Sequence, residues 1–96
     1  MAYRLIPRAQ ADVGEIWDYT FQRWGADQAD HYVGLIRDAS SRAARSGYDH
    51  NPCDDIRLGY FKIRAGSHII FYRRNGANID IVRILHGRMD FQRHLG

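Results

Sequence analysis

Two arginines, a histidine and an aspartate crowd the stretch Arg83-Ile84-Leu85-His86-Gly87-Arg88-Met89-Asp90. A guanidinium can grip a phosphate or carboxylate through paired N–H donors. An imidazole can move a proton near neutral pH, and a carboxylate can orient either group. Together they suggest metal-independent phosphodiester cleavage, which needs a base, an acid and a cation for the developing charge. Cations are plentiful in Lys62, Arg64, Arg73 and Arg88. A second proton-transfer group is not, because Tyr60 and Tyr72 both fall at ordinary strand positions. A catalytic reading would rest on His86, Arg83 and Lys62, against the plainer one of a hydrogen-bonded histidine at a strand end.

Strand alternation argues further against it. If residues 78–86 form a regular strand, Ile79, Ile81, Arg83 and Leu85 share one face and Asp80, Val82, Ile84 and His86 the other. Arg83 and His86 are then separated. A bulge would join them, but nothing in the sequence demands one. Arg83 on an apolar face needs a carboxylate if buried, and Asp54, Asp55 and Asp90 are the candidates. Its other reading is direct contact with a target.

Other chemistries fall away. The histidines at 31, 50, 68, 86 and 94 show no metal-ligand spacing, and the single Cys53 has no Cys-x-x-Cys partner. Cys53 follows Pro52 in a loop, where it is open to exposure but reads as a passive small residue. The glycines are scattered, with no phosphate-binding loop. Aromatics and cations interleave in YFKIR and FYRR, which suits single-stranded nucleic acid. The same alternation describes a half-buried strand, and that reading is the stronger. No cofactor or metal is expected.

These residues need elements to hold them. YRLI, ending at Pro7, reads as a first strand, and Pro7 suits the first turn of a helix. Val13, Ile16, Trp17, Thr20, Phe21 and Trp24 give that helix an apolar stripe, with Asp12, Glu15, Asp18 and Arg23 outside it and Gly25 as its cap. A second helix starts near Asp27, carries Ala29, Tyr32, Val33, Ile36, Ala39 and Ala43, and fades near Ser46-Gly47. A hinge of two or three residues makes the pair an antiparallel hairpin. Residues 47–55, GYDHNPCDD, read as a loop. From Ile56 the period becomes two: IRLGYFKIR, SHIIFYRR and NIDIVRILH are strand-like, divided by hairpin signals at Ala65-Gly66 and Asn75-Gly76-Ala77. MDFQRHLG suits one helical turn capped by Asp90. The order is β-α-α-β-β-β, an α+β fold with a helical hairpin on one face of a largely antiparallel sheet.

The chain has 96 residues, enough for one domain, and 45% hydrophobic and 12% aromatic content, enough for a core. The absence of a long apolar run, a signal-like start or paired cysteines points to a reducing cytoplasm, away from membranes. Charge is divided unevenly. Residues 1–54 carry six arginines against eight acids, a balance of −2; residues 55–96 carry eight basic residues against three acids, a balance of +5. Thirteen of the fourteen basic residues are arginine. An arginine-rich half should meet nucleic acid or an acidic protein segment.

AQADVGEIWDYTFQRWGADQADHY resembles the helical hairpin of the ParE toxins of the RelE/ParE superfamily. The shared pattern is an acid, an aliphatic, Glu-Ile-Trp, Tyr-Thr, then Trp-Gly and an alanine before Tyr32. CDDIRLGYFKIRAGSHIIFYRR and IDIVRILHGRMDFQRHL look like that family's sheet and C-terminal signature, Arg83 to His86 followed by Arg88-Met89-Asp90 being the most specific part. The resemblance spans almost the whole chain in order, and it implies the family's two-layer fold with the first strand beside the last.

It also implies a type II toxin–antitoxin system. Such a toxin inhibits DNA gyrase, stalls replication and arrests growth, as a binding inhibitor and not an enzyme. A ParD-type antitoxin neutralises it in a heterotetramer or larger complex and alone touches the operon DNA. Trp17, Phe21, Arg57, Arg64, Arg73 and Arg74 are the expected antitoxin contacts; Arg83, His86, Arg88 and Arg93 are the expected target contacts. The runner-up is a RelE-type ribosome-dependent ribonuclease, using His86, Arg83 and Lys62. The sequence departs from that branch: Ser67-His68-Ile69-Ile70 and Phe61 stand where ribonuclease relatives commonly have arginines, and Phe91 lacks the hydroxyl of a closing tyrosine. A third reading is an inactive relative kept for antitoxin binding.

Overall fold

A computed structural model describes residues 2–45 and 51–95. The elements are β1 (Tyr3–Leu5), α1 (Pro7–Trp24), α2 (Ala26–Arg45), β2 (Asn51–Pro52), β3 (Tyr60–Ala65), β4 (His68–Asn75), β5 (Asn78–His86) and α3 (Phe91–Leu95). The sheet order is β1-β5-β4-β3-β2, with β1 parallel to β5 and every other pair antiparallel. The α+β order and the hairpin are as the sequence implies, and the first strand lies beside the last as the resemblance implies.

Pro7 opens α1, where its missing N–H leaves nothing unpaired. Gly25 closes it at φ 90°, donating its N–H to Phe21 O, and its own carbonyl accepts from Ala29 in the first turn of α2. One glycine thus makes the hinge, shorter than expected. α1 buries Ala9, Asp12, Ile16 and Thr20. This corrects the expected stripe: Asp12 lies inside, while Phe21 and Trp24 are 46% and 63% exposed and Trp17 is half-buried. Small residues at 9 and 20 let the helix approach the sheet, and Asp12 has a partner there. Hydrophobicity alone would have turned the helix toward its aromatics.

The main core lies between hairpin and sheet, where Ile16, Ile36, Ala39 and Ala43 meet Ile70, Tyr72, Ile79, Ile81 and Ile84. A second cluster occupies the other sheet face: Cys53, Ile69, Phe71, Val82, Leu85 and Leu95. Phe91 of α3 packs edge-to-face on Phe71 with centroids 4.9 Å apart. Each such side chain stabilises by roughly 1.5–3 kcal/mol when fully buried. Arg57 Nη1 donates to Leu95 O at 2.8 Å, and Asp90 Oδ1 accepts the Gln92 N–H at 3.2 Å as the cap of α3.

Three further expectations need correction. The expected loop at 47–55 contains the short strand Asn51–Pro52, paired with Phe61 and Lys62; residues 46–50 lie outside the described residues. Cys53 is fully buried, and that burial raises its thiol pKa, so it is a core residue and not an exposed one. Residues 56–59 are turn, and β3 starts only at Tyr60, because Cys53 O accepts from both Ile56 and Arg57.

A fourth correction concerns the register of β5. Phe71 pairs with Arg83 but Tyr72 pairs with Ile81, leaving Val82 as an extra residue in a β-bulge. Ile84 therefore joins Ile79 and Ile81 in the main core, while Val82 and Leu85 enter the other cluster. The simple alternation of residues 79–86 breaks at this point.

Asp12 sits beside the bulge. β1 ends at Leu5, opposite Ile81, so β5 runs on past the end of its outer neighbour. Asp12 fills the gap: Oδ2 accepts Arg83 Nε at 2.8 Å and the Ile84 backbone N–H at 2.9 Å, and Oδ1 accepts Arg83 Nη2 at 3.0 Å. Both side chains are largely buried, at 12% and 6% exposure. The partner of Arg83 is therefore Asp12, not Asp54, Asp55 or Asp90; the acid came from the helix whose stripe seemed to exclude it.

Removing one member of a buried pair strands the other. Asp12→Ala should cost about 3–5 kcal/mol, read from urea unfolding. Adding Arg83→Met should recover part of that loss, leaving the deficit of the unpaired Ile84 N–H. A double variant no more stable than Asp12→Ala would deny that the stranded guanidinium is the main penalty.

Candidate functional site

A hollow of about 690 Å³ runs between α1 and the end of the sheet. Its walls are apolar and aromatic: Ile16, Tyr19 and Trp24 on one side, Leu85 and Met89 on the other. Tyr19 and Trp24 are exposed, so this wall is uncovered. The polar end is built from Tyr32 of α2, His68 at the start of β4 and His86 at the end of β5.

Register brings the histidines together. His68 pairs with His86 across the β4–β5 ladder, and their rings meet edge-to-face at 5.4 Å. Tyr32 Oη lies 2.6 Å from His68 Nδ1 and accepts the Ser67 N–H at 2.9 Å. The turn before β4 must be glycine for two reasons: Gly66 has φ 59°, and a Cβ there would lie 2.8 Å from the Tyr32 ring. Burial lowers the His68 pKa, the neighbouring His86 lowers it further, and Asp12 pulls weakly the other way, so His68 is neutral at neutral pH. His86 Nδ1 accepts the Arg88 N–H at 3.1 Å.

The expected site residues are distributed unevenly around this groove. Arg83 and His86 both line it although residues 83–86 pair regularly with 71–68; Arg83 reaches the groove at the sheet edge that β1 leaves open, where it meets Asp12 of α1. Lys62 lines a different hollow of about 330 Å³ with Asn51, Arg64 and Phe91. The catalytic trio Lys62, Arg83 and His86 is thus divided between two hollows. Trp17 stacks on Phe21 at 5.1 Å and donates to Asp30 Oδ1 at 2.9 Å. Arg57 holds α3, Arg64 donates to Gly66 O at 3.2 Å, Arg73 lies 3.5 Å from Asp80, and the Arg74 guanidinium covers the Phe61 ring at 5.5 Å. Arg88 and Arg93 are exposed.

Tyr32, His68, Tyr19 and Met89 were not singled out as site residues. Counting outward from the Asn75–Asn78 turn pairs His68 with Leu85; only the extra residue at Val82 moves His86 opposite it. The two histidines were visible in the sequence, but their adjacency depends on a bulge that leaves no local signature.

Chemically, the groove offers an apolar wall and a hydrogen-bonding end made by Tyr32, His68 and His86. Asp12, Glu15 and Arg83 are its formally charged residues, and Arg83 is already engaged by Asp12. Among the described residues, no second arginine or lysine lines it, so a phosphodiester would find no free cation there. Such a surface suits an amphipathic protein segment.

The fold is that of a small toxin module. The structure superposes with TM-score 0.77 on a chain described as "Chromosomal ParDE TA system from P. aeruginosa", 19% identical, covering 90% of this chain and 95% of that one. The family model for the ParE toxin of the type II toxin–antitoxin system parDE matches residues 3–91. "Toxin ParE1" of Mycobacterium tuberculosis is 51% identical over 94 residues, covering 97% of this chain and 96% of the relative. "Toxin ParE1" of Caulobacter vibrioides is 39% identical, covering 98% and 97%. The chain belongs to the ParE toxin family of type II toxin–antitoxin systems.

The polar end of the groove makes a local prediction. Gly66→Ala combines an unfavourable φ with a clash against Tyr32, and should destabilise by about 1–3 kcal/mol. The Tyr32–His68 contact should be lost with it, read as a shift of the His68 imidazole resonances. A variant with wild-type stability and unchanged His68 resonances would show that Tyr32 can yield without strain.

Proposed function

We propose that this chain is an active toxin that binds and inhibits DNA gyrase in the cytoplasm, and that a ParD-type antitoxin neutralises it by covering its aromatic groove. The observation that carries the reading is the groove itself: open aromatic side chains beside hydrogen-bonding groups, with its one arginine tied to Asp12. A binding inhibitor needs such a surface and needs no acid–base machinery. Family membership supports the same reading, since these toxins act within two-component toxin–antitoxin systems.

The antitoxin surface then extends from the groove over Trp17 and Phe21, whose stacked rings flank it on α1, to the basic rim of Arg57, Arg64, Arg73 and Arg74. Acidic side chains on the antitoxin would meet that rim, and aliphatic ones the groove. Coupled folding of a flexible segment can bury a large area on so small a partner. Arg83 keeps its structural role, and His86 belongs to the groove. Arg88 and Arg93 remain as exposed cations for the target. Among the described residues, no helix is long and apolar enough to cross a membrane.

His68 supplies the second proton-transfer group that a ribonuclease would require, which is the one observation favouring that reading. The missing free cation in the groove weighs against it. Induction without antitoxin should give filamentation and an SOS response, and purified protein should inhibit supercoiling by gyrase or trap its cleaved complex. Rapid messenger cleavage with replication intact would overturn the gyrase reading. Antitoxin binding without growth arrest would identify an inactive relative.

A further inference from the structure

The two imidazoles at the polar end of the groove are each held from behind through Nδ1. Tyr32 Oη accepts the Ser67 N–H at 2.9 Å and lies 2.6 Å from His68 Nδ1. With the Tyr32 proton given to that nitrogen, neutral His68 carries its hydrogen on Nε2. His86 Nδ1 accepts the Arg88 N–H at 3.1 Å, so neutral His86 carries its hydrogen on Nε2 as well. Neither Nε2 has a hydrogen-bond partner among the described residues. No side-chain nitrogen or oxygen of a half-buried or buried described residue is both enclosed and unpartnered. Both Nε2–H groups are therefore open to solvent, on side chains that line one groove.

Two neighbouring donors without an acceptor are a recognition feature. We propose that the His68 and His86 Nε2–H groups receive an Asp or Glu carboxylate of the antitoxin segment that lies in the groove, and that protonation of this pair tightens the toxin–antitoxin complex. The proposal rests on the antitoxin reading above and adds to it a contact and a direction of regulation. Apolar residues beside that carboxylate would lie on Ile16, Leu85 and Met89.

The charged and titratable groups facing the pair fix the sign of the effect. From α1 these are Asp12, Glu15 and Tyr19; from α2, Tyr32; from β5, Arg83. Arg64 of β3 reaches toward Gly87, just beyond His86. Asp12 is neutralised by Arg83 and by the Ile84 N–H. Glu15 is exposed, and its field is screened by salt. With the pair neutral, the groove receives a carboxylate through two ordinary hydrogen bonds. When either ring is protonated, one of those becomes charge-assisted. The carboxylate in turn raises both imidazole pKa values, so the complex takes up protons as pH falls. An apolar or cationic occupant gives the opposite sign, because a charged ring facing it loses solvation without compensation.

The test uses this chain in complex with a full-length ParD-type antitoxin. Affinity should rise roughly tenfold between about pH 8 and about pH 6, the scale of one neutral hydrogen bond becoming charge-assisted. NMR of the imidazole nitrogens should show both Nε2–H tautomers in the free toxin and higher pKa values for both rings in the complex. His68→Gln combined with His86→Gln, which keeps a side-chain N–H but cannot be protonated, should flatten the pH dependence. Affinity that is flat or weakens toward low pH overturns the proposal, as do imidazole pKa values unchanged by the antitoxin. Those ring measurements are made on the wild-type protein and stand even if the variants fold poorly. A complex that forms at every pH without the predicted sign refutes the carboxylate contact alone; no complex at any pH refutes the antitoxin reading with it.

Discussion

The Asp12 carboxylate joins the two layers of this protein through a buried polar contact. It takes the Arg83 guanidinium through two hydrogen bonds and the Ile84 N–H through a third, so one acid from α1 completes the edge of β5 where β1 has ended. An unmet N–H at that position would be buried beside apolar side chains, at a cost of about 1–3 kcal/mol. An unpaired buried guanidinium would cost more. The carboxylate answers both, and in doing so fixes which face of α1 meets the sheet. That choice leaves Tyr19 and Trp24 outside as the wall of the groove.

The β-bulge at Val82 is the second half of the same device. Without it, Ile84 and Leu85 would exchange faces, and a one-residue slip of this kind reverses every side chain beyond it. With it, Ile84 stays in the core beside Ile81, Leu85 joins the opposite cluster, and His86 arrives opposite His68. The bulge thus sets the register of the core and assembles the polar end of the groove. A second buried acid, Asp80, serves the far end of β5: burial favours its neutral form, but Asn75, Arg4 and Arg73 outweigh this and lower its pKa.

How much of this was legible in the sequence depends on whether the signal was local. Helix limits at Pro7 and Gly25 and the turns at Gly66 and Gly76 follow from backbone conformations that only a few residue types supply. The three long strands show the period of two, although the turn at 56–59 imitates a strand because Ile56 and Leu58 happen to alternate with polar neighbours. The role of Asp12 is illegible locally, since its partners lie 71 and 72 residues away. By composition Asp12 belongs on the solvent side of an amphipathic helix. Phe21 and Trp24 belong inside by the same rule, yet both are exposed, and exposed aromatics of this kind are what a binding surface requires. The groove was therefore missed for one reason in two forms: residues that violate the pattern are the ones that carry it.

The basic C-terminal half also takes on a different meaning. A charge balance of +5 over residues 55–96 suggests a surface waiting for an acidic partner. Yet Arg57, Arg64, Arg73, Arg74 and Arg83 each have a partner within the chain: a carbonyl, another carbonyl, Asp80, an aromatic face and Asp12. Only for Arg83 does that partner come from the acidic N-terminal half and lie buried with it. The other four remain exposed, and exposed pairs contribute about 0–1 kcal/mol, so a binding partner can exchange them at little cost. Weakly held arginines outside the groove can therefore be re-paired at little cost, while Arg83, buried with Asp12, keeps the groove in shape.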